Sequence, residues 1–298
     1  MSEKIHIVEV GPRDGLQNEK QTIDVGTKVE LIERLGAAGN KTIEAGAFVS
    51  PKWVPQMAAT DEVMKALQRR DNVSYPVLTP NMKGYEGAQT AKVDTIAVFG
   101  AASESFSQKN INASIAESLE RFKPVIAAAK KDGIRVRGYV SCVLGCPYEG
   151  EIAISNVIDV SKALYEMGCY EISLGDTIGV GVARKTQTLI RALKEELPVE
   201  ALAGHFHDTY GQALSNIFIA MEEGIRVFDA SVSGLGGCPY AKGASGNVAS
   251  EDVIYMLENS GIDTGINLDA LIETSLWVSQ KLNRKPGSKV TIARSSTE

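Results

Sequence analysis

Cysteine is scarce in this chain: Cys142, Cys146, Cys169 and Cys238 are all it has in 298 residues. No two of them form a C-x-x-C pair, which argues against a structural zinc site, and a chain of this size does not depend on a disulfide framework. Free thiols in a reducing, cytoplasmic setting are the expectation. Long apolar runs are lacking as well, so no segment is expected to span a bilayer. A basic excess is also missing. The net charge is −6 and the pI about 5.3, which weighs against nucleic acid or an anionic membrane as a partner. The first strand-like run begins near Ile5, which leaves no room for a signal or transit peptide. Pro- and Ser-rich linkers and breaks in composition are absent too, so one domain over residues 1–298 is expected.

What is there suits a globular chain with a large core, 44% hydrophobic and 23% charged. Strand-like segments recur at 5–10, 42–45, 73–78, 95–99, 135–141, 170–174, 202–206 and 227–231. Helix-like segments lie between them at 27–38, 61–70, 81–91, 115–131, 152–167, 183–197 and 212–223, followed by 248–258. Turn residues such as Gly39, Gly133, Gly168, Pro198 and Gly224 punctuate them. Eight strand–helix units at roughly 30-residue spacing predict an α/β fold, a (β/α)8 barrel, with 268–282 as an added C-terminal helix. A doubly wound open sheet is the alternative. Gly234-Leu235-Gly236-Gly237 lacks the third spaced glycine of a dinucleotide fingerprint, which excludes a Rossmann reading.

Histidine is rarer than cysteine, and two of the three residues, His205 and His207, stand at i and i+2 at the end of a predicted strand. Alternate strand side chains share a side, so both imidazoles project into one site at the barrel's active face. For the pair alone, two histidines satisfying hydrogen bonds at a strand end is an equal reading. Asp14, read as ending the first strand close to the histidine strand around the barrel, is the natural carboxylate to complete a set for magnesium or a divalent transition metal, and Asn247 offers an amide oxygen. Asp208 competes with Asp14, but a helix N-cap is its ordinary role. His6 lies early in the first strand and reads as structural. Arg13, held in its turn by Pro12, suits an enolate or thioester oxyanion; alternatively it forms a salt bridge to Glu44 or Asp176. Those two carboxylates either orient Arg13 or relay protons. Residues 233–247 hold five glycines in fifteen positions and read as a lid loop, in which Cys238 is either a proton donor or a bystander thiol.

The segments 11–20 (Gly-Pro-Arg-Asp-Gly-Leu-Gln-Asn-Glu-Lys), 141–150 (Ser-Cys-Val-Leu-Gly-Cys-Pro-Tyr-Glu-Gly), the His205/His207 stretch and 234–247 resemble the hydroxymethylglutaryl-CoA lyase family over nearly the whole chain. The resemblance implies a barrel that binds Mg²⁺ or Mn²⁺ and cleaves 3-hydroxy-3-methylglutaryl-CoA to acetoacetate and acetyl-CoA by a retro-Claisen step, CoA being part of the substrate. It implies Asp14, His205, His207 and Asn247 as metal ligands and Arg13 as the catalytic arginine. It further implies Cys238 as the lid cysteine, with Glu44 and Asp176 as supporting acids. Two departures stand out. Ala45, Gly46 and Ala47 replace hydroxyl residues of animal members, and no cysteine follows Cys238. A homodimer or higher homo-oligomer is expected. The competing readings are an acetyl-CoA-dependent condensing synthase of the same barrel family and a metal-binding barrel without catalysis.

Overall fold

A computed structural model describes residues 4–237 and 246–296. Short apolar strands alternate with helices along the chain. β1 (His6–Glu9) and α1 (Val25–Ala37) lead to β2 (Thr42–Ile43), β3 (Gly46–Ala47) and α2 (Thr60–Ala66). Next come β4 (Val77–Leu78), α3 (Met82–Thr90), β5 (Thr95–Ala101), α4 (Glu104–Ile111) and α5 (Ile115–Lys131). β6 (Arg135–Ser141), α6 (Ile154–Met167), β7 (Glu171–Asp176), α7 (Ala183–Lys194), β8 (Leu202–Phe206) and α8 (Ala213–Glu222) follow. β9 (Val227–Ala230), α9 (Ser250–Asn259), α10 (Leu268–Lys281) and α11 (Lys289–Ser295) complete the described order.

The strands lie in the order β2-β1-β9-β8-β7-β6-β5-β4-β3, and every neighbouring pair is parallel. β2 and β3 occupy one strand position. β2 pairs with β1, Val8 opposite Thr42, and β3 pairs with β4, Gly46 opposite Val77. Between them the Glu44 N–H donates to the Glu9 carbonyl and the Ala45 N–H to the Pro76 carbonyl, both at 2.9 Å. The chain thus changes partner within two residues, and the sheet returns on itself. The result is the expected (β/α)8 barrel, whose closure leaves no open edge. The open doubly wound sheet is excluded because the two ends of this order, β2 and β3, are one continuous strand position, so the sheet has no free edge.

Two strands keep only a fraction of the length that the sequence predicts. The expected strand 42–45 is split by the hand-over just described. The expected strand 73–78 is regular only at Val77–Leu78, because Pro76 brings no N–H to the ladder. Two helices were not anticipated. α4 is capped by Ser103, whose side chain accepts from the Phe106 N–H, and ends at Asn112 with φ +50°. α11 is capped by Ser288. Both are short and strongly polar, so they carry little hydrophobic periodicity.

Apolar strand residues such as Ile7, Ile43, Ile96, Ile172, Leu202 and Phe228 are almost wholly buried. The helices cover the sheet with stripes at i, i+3, i+4 spacing, for example Phe122, Val125, Ile126 and Ala129 of α5. A second set of strand residues meets inside the barrel, and it is polar. Arg137 of β6 reaches Asp229 of β9, and Tyr139 of β6 reaches Glu44, although neither pair sits on adjacent strands. Only contacts through the interior join them, so the barrel's centre is a packed ion-pair and hydrogen-bond network.

Candidate metal centre and active site

Beyond β1 the chain does not leave as an open loop. Gly11–Gly15 wind into a single π-helical turn with Pro12 at its start. The N–H groups of Arg13, Asp14 and Gly15 all converge on the Val10 carbonyl, at 3.2, 2.8 and 3.1 Å. The fully buried Glu9 carboxylate braces the turn, accepting from the N–H groups of Gly11 at 2.8 Å and Val232 at 2.9 Å and from the Ser250 hydroxyl. There is no room for a side chain at Gly15, where a Cβ would lie 2.8 Å from Ser231 Oγ and from Leu235 Cβ. The turn therefore sets Arg13 and Asp14 side by side. Asp14 is not at a strand end, as the sequence suggested, but five residues beyond β1.

From β8, His205 and the following His207 meet that turn. Ligand atoms of Asp14, His205 and His207 all lie within 4.8 Å of one another. The two Nε2 atoms are 3.2 Å apart, a separation that calls for a shared proton or a cation. Asn247 returns alongside His207 and completes the rim. Its amide N–H donates to Asp14 Oδ2 at 2.8 Å and to the Leu235 carbonyl at 3.2 Å, so it orients Asp14 through nitrogen and not through oxygen.

Arg13 is clamped. Its Nε and one terminal nitrogen lie 2.7 Å from Glu44 Oε2, its other terminal nitrogen donates to Asp14 Oδ1 at 2.7 Å, and the Tyr139 ring lies 5.4 Å from the guanidinium. Of the two carboxylates expected near it, Glu44 takes the ion pair. Asp176 instead accepts from the Val180 and Gly181 N–H groups at 3.1 and 2.8 Å and so shapes the loop after β7. Asp208 is not the N-cap of α8, which is Gln212, but its side chain does accept from the Ala213 N–H at the start of that helix. His6 bonds Thr42 within the lower barrel. Cys238 and most of the expected lid, residues 238–245, lie outside the described residues.

The charges suit a cation. Burial alone would raise the Asp14 carboxyl, but Arg13 and the two imidazoles bring it down to about 2. Burial, reinforced by the charge of His205, pushes His207 down to about 4, so it stays neutral at pH 7. Burial also disfavours a charged His205, but a hydrogen bond and the charge of Asp229 outweigh it and raise that group. Burial lifts Asp176 to about 6 against the pull of its loop N–H groups, and it raises Glu44 despite Arg13. An ionised carboxylate with imidazole nitrogens is a donor set that fits a divalent ion. Asp229 and Tyr139 were not singled out from the sequence. A lone acid inside an otherwise apolar strand, as at Asp229 and Glu9, is the signal that marks such residues.

The HMGL-like family model matches residues 4–278. A Pseudomonas aeruginosa protein named 3-hydroxy-3-isohexenylglutaryl-CoA/hydroxy-methylglutaryl-CoA lyase is 57% identical over 293 residues, 98% of each chain. The mitochondrial hydroxymethylglutaryl-CoA lyase of Bos taurus is 57% identical over 97% of this chain and 89% of its own. The crystal structure of the hydroxymethylglutaryl-CoA lyase from Pseudomonas aeruginosa superposes with a TM-score of 0.97 at 56% identity, covering 100% of this chain and 99% of that one. The chain belongs to the HMGL-like family and, within it, to the hydroxymethylglutaryl-CoA lyases.

Proposed function

We propose that this protein is a divalent-cation-dependent carbon–carbon lyase that splits 3-hydroxy-3-methylglutaryl-CoA into acetoacetate and acetyl-CoA, the whole chain acting as one catalytic barrel domain. The observation that carries this reading is the convergence of Asp14, His205 and His207 within 4.8 Å, with Arg13 2.7 Å from Asp14. Its relatives over the full chain bear that lyase's name, which disfavours the condensing synthase.

Asp14, His205 and His207 would hold Mg²⁺ or Mn²⁺, and Asn247 joins them if its amide turns its oxygen toward the ion. The cation supplies Lewis acidity toward the substrate's tertiary hydroxyl, making it easier to deprotonate. Glu44 and Asp176 are two of the carboxylates whose proton affinity burial has raised, and one of them takes that proton. The C2–C3 bond then breaks. The electron pair on the former hydroxyl oxygen becomes the ketone of acetoacetate, and the bond pair passes to the enolate of acetyl-CoA. Arg13, immobilised by Glu44 and Tyr139, steadies the enolate oxygen. Cys238 returns a proton to the enolate carbon. A homodimer or higher homo-oligomer, a cytoplasmic setting with buried thiols such as Cys146 and Cys169 kept reduced, and no nucleic-acid or membrane partner complete the proposal.

The test is acetoacetate release from 3-hydroxy-3-methylglutaryl-CoA by protein stripped with EDTA and then given Mg²⁺. Activity should vanish on stripping and return on addition. Full turnover after exhaustive stripping, or no acetoacetate at any stage, contradicts the reading.

A further inference from the structure

Beneath the two histidines lies a buried group that the reaction does not itself require. Asp229 stands opposite His205 in the β8–β9 register and is 2% exposed. Its Oδ2 lies 2.9 Å from His205 Nδ1, on the imidazole edge facing away from His207. The same carboxylate is fixed from two other strands. Arg137 of β6 grips it in a fork, at 2.7 Å to Oδ1 and 3.1 Å to Oδ2, and Ser173 of β7 donates to Oδ2 at 2.8 Å. Arg137 is itself almost wholly buried, with Glu171 and the Tyr139 hydroxyl as further partners.

A buried carboxylate pinned by a guanidinium stays an anion, and an anionic oxygen only accepts. His205 Nδ1 must then carry the hydrogen. In the neutral ring the lone pair falls on Nε2, the atom that faces His207 and Asp14. Among the described residues no carboxylate is hydrogen-bonded to His207, so the two histidines are not equivalent.

We propose that Asp229 is the positioning residue of the metal centre: held by Arg137 and Ser173, it locks His205 in the Nδ1–H tautomer and aims its Nε2 lone pair at the cation. Arg137 serves the rest of the site as well. It donates to the Tyr139 hydroxyl, which donates in turn to Glu44 Oε2 at 3.2 Å, the oxygen that holds Arg13. One buried cation thus sets both the metal-facing imidazole and the oxyanion-facing guanidinium. The proposal rests on the metal-centre reading above, and its test separates the two.

The measurements are the histidine tautomers by ¹⁵N–¹H correlation NMR on the cation-free protein, at a pH alkaline enough for the His205 ring to be neutral, and Mn²⁺ affinity by calorimetry. They are made on the wild type, Asp229→Asn and Ser173→Ala. The first exchange keeps shape but lets an amide N–H face the ring and favour the other tautomer. The second leaves the ion pair intact and removes one anchor. Wild-type His205 should show the Nδ1–H form. Mn²⁺ affinity should fall on the order of 10–100-fold in Asp229→Asn, the usual cost of losing a partner behind a metal-bound histidine. Ser173→Ala should give a smaller loss in the same direction, and it decides the matter if Asp229→Asn does not fold. An Nε2–H tautomer in the wild type, or unchanged Mn²⁺ affinity in Ser173→Ala and in any folded Asp229→Asn, overturns the proposal. A wild type that shows the Nδ1–H tautomer but binds no Mn²⁺ overturns the metal-centre reading, and with it the part of the proposal that aims Nε2 at a cation.

Discussion

Arg13 joins two carboxylates that differ in their tasks. Glu44 lies beneath it as a buried brace, and Asp14 lies beside it at the rim. The brace fixes the guanidinium before substrate arrives, and in the proposed mechanism that fixed charge steadies the negative oxygen formed during bond cleavage. Arg13→Met should therefore lower kcat and kcat/KM together, on the order of 10²–10³-fold. A change confined to KM in steady-state kinetics would assign Arg13 to ground-state binding instead. His207 is a different kind of residue, since among the described residues it touches the barrel network only through His205 and no carboxylate braces it. His207→Ala should weaken Mn²⁺ binding in calorimetry while leaving the urea midpoint close to wild type. Wild-type Mn²⁺ affinity in that variant would move the ligand role elsewhere.

Among the elements, the turn at Gly11–Gly15 matters most, because it converts the end of a strand into a platform for two functional side chains. Its position depends on contact with the segment after β9, where Ser231 and Leu235 leave no space at Gly15. Gly15→Ala should push the turn outward and displace Asp14. Because an ångström of misplacement costs on the order of 10²-fold in a preorganised site, catalytic rate should drop far more than thermal stability. Equal kcat in a folded Gly15→Ala protein would show that the turn tolerates the shift. The sequence made the histidines legible through their two-residue spacing and Asp14 through its place after the first strand. The π-helical turn was not legible, since the tertiary contacts of Glu9, Ser231 and Leu235 impose it. The partner change at Glu44–Ala45 was hidden for the same reason: β2 and β3 are defined by which neighbour they meet. Asp176 ends β7, just past the expected strand 170–174, but no pattern in sequence shows that its oxygens go to loop N–H groups.

At the scale of the molecule, the buried acids set a pH dependence of stability. Burial raises Glu9 and Glu251 from 4.5 to about 7. Between those values the folded protein holds more protons than the unfolded chain, so stability falls as pH rises from 4.5 to 7. Each group contributes on the order of 3 kcal/mol across that window. Asp14 acts with the opposite sign, its stabilisation being lost only as pH falls below 3.8 toward about 2. His207, lowered from 6.5 to about 4, opposes part of this, but the two buried glutamates outweigh it, so urea midpoints should decline from pH 5 to 7.5, and Glu9→Gln should flatten that decline while keeping acceptors for the Gly11 and Val232 N–H groups. An unchanged slope in Glu9→Gln would place the effect in other residues. The same barrel that stores these costs brings β1, β8 and the segment around Asn247 to one mouth, so the candidate metal centre belongs to the whole closed sheet. Anomalous diffraction from a crystal soaked in Mn²⁺ tests that claim most directly. The account predicts one strong peak in direct contact with the Asp14 carboxylate and with Nε2 of both His205 and His207. A Mn²⁺ bound at that mouth without the histidines, or bound only elsewhere, would contradict it.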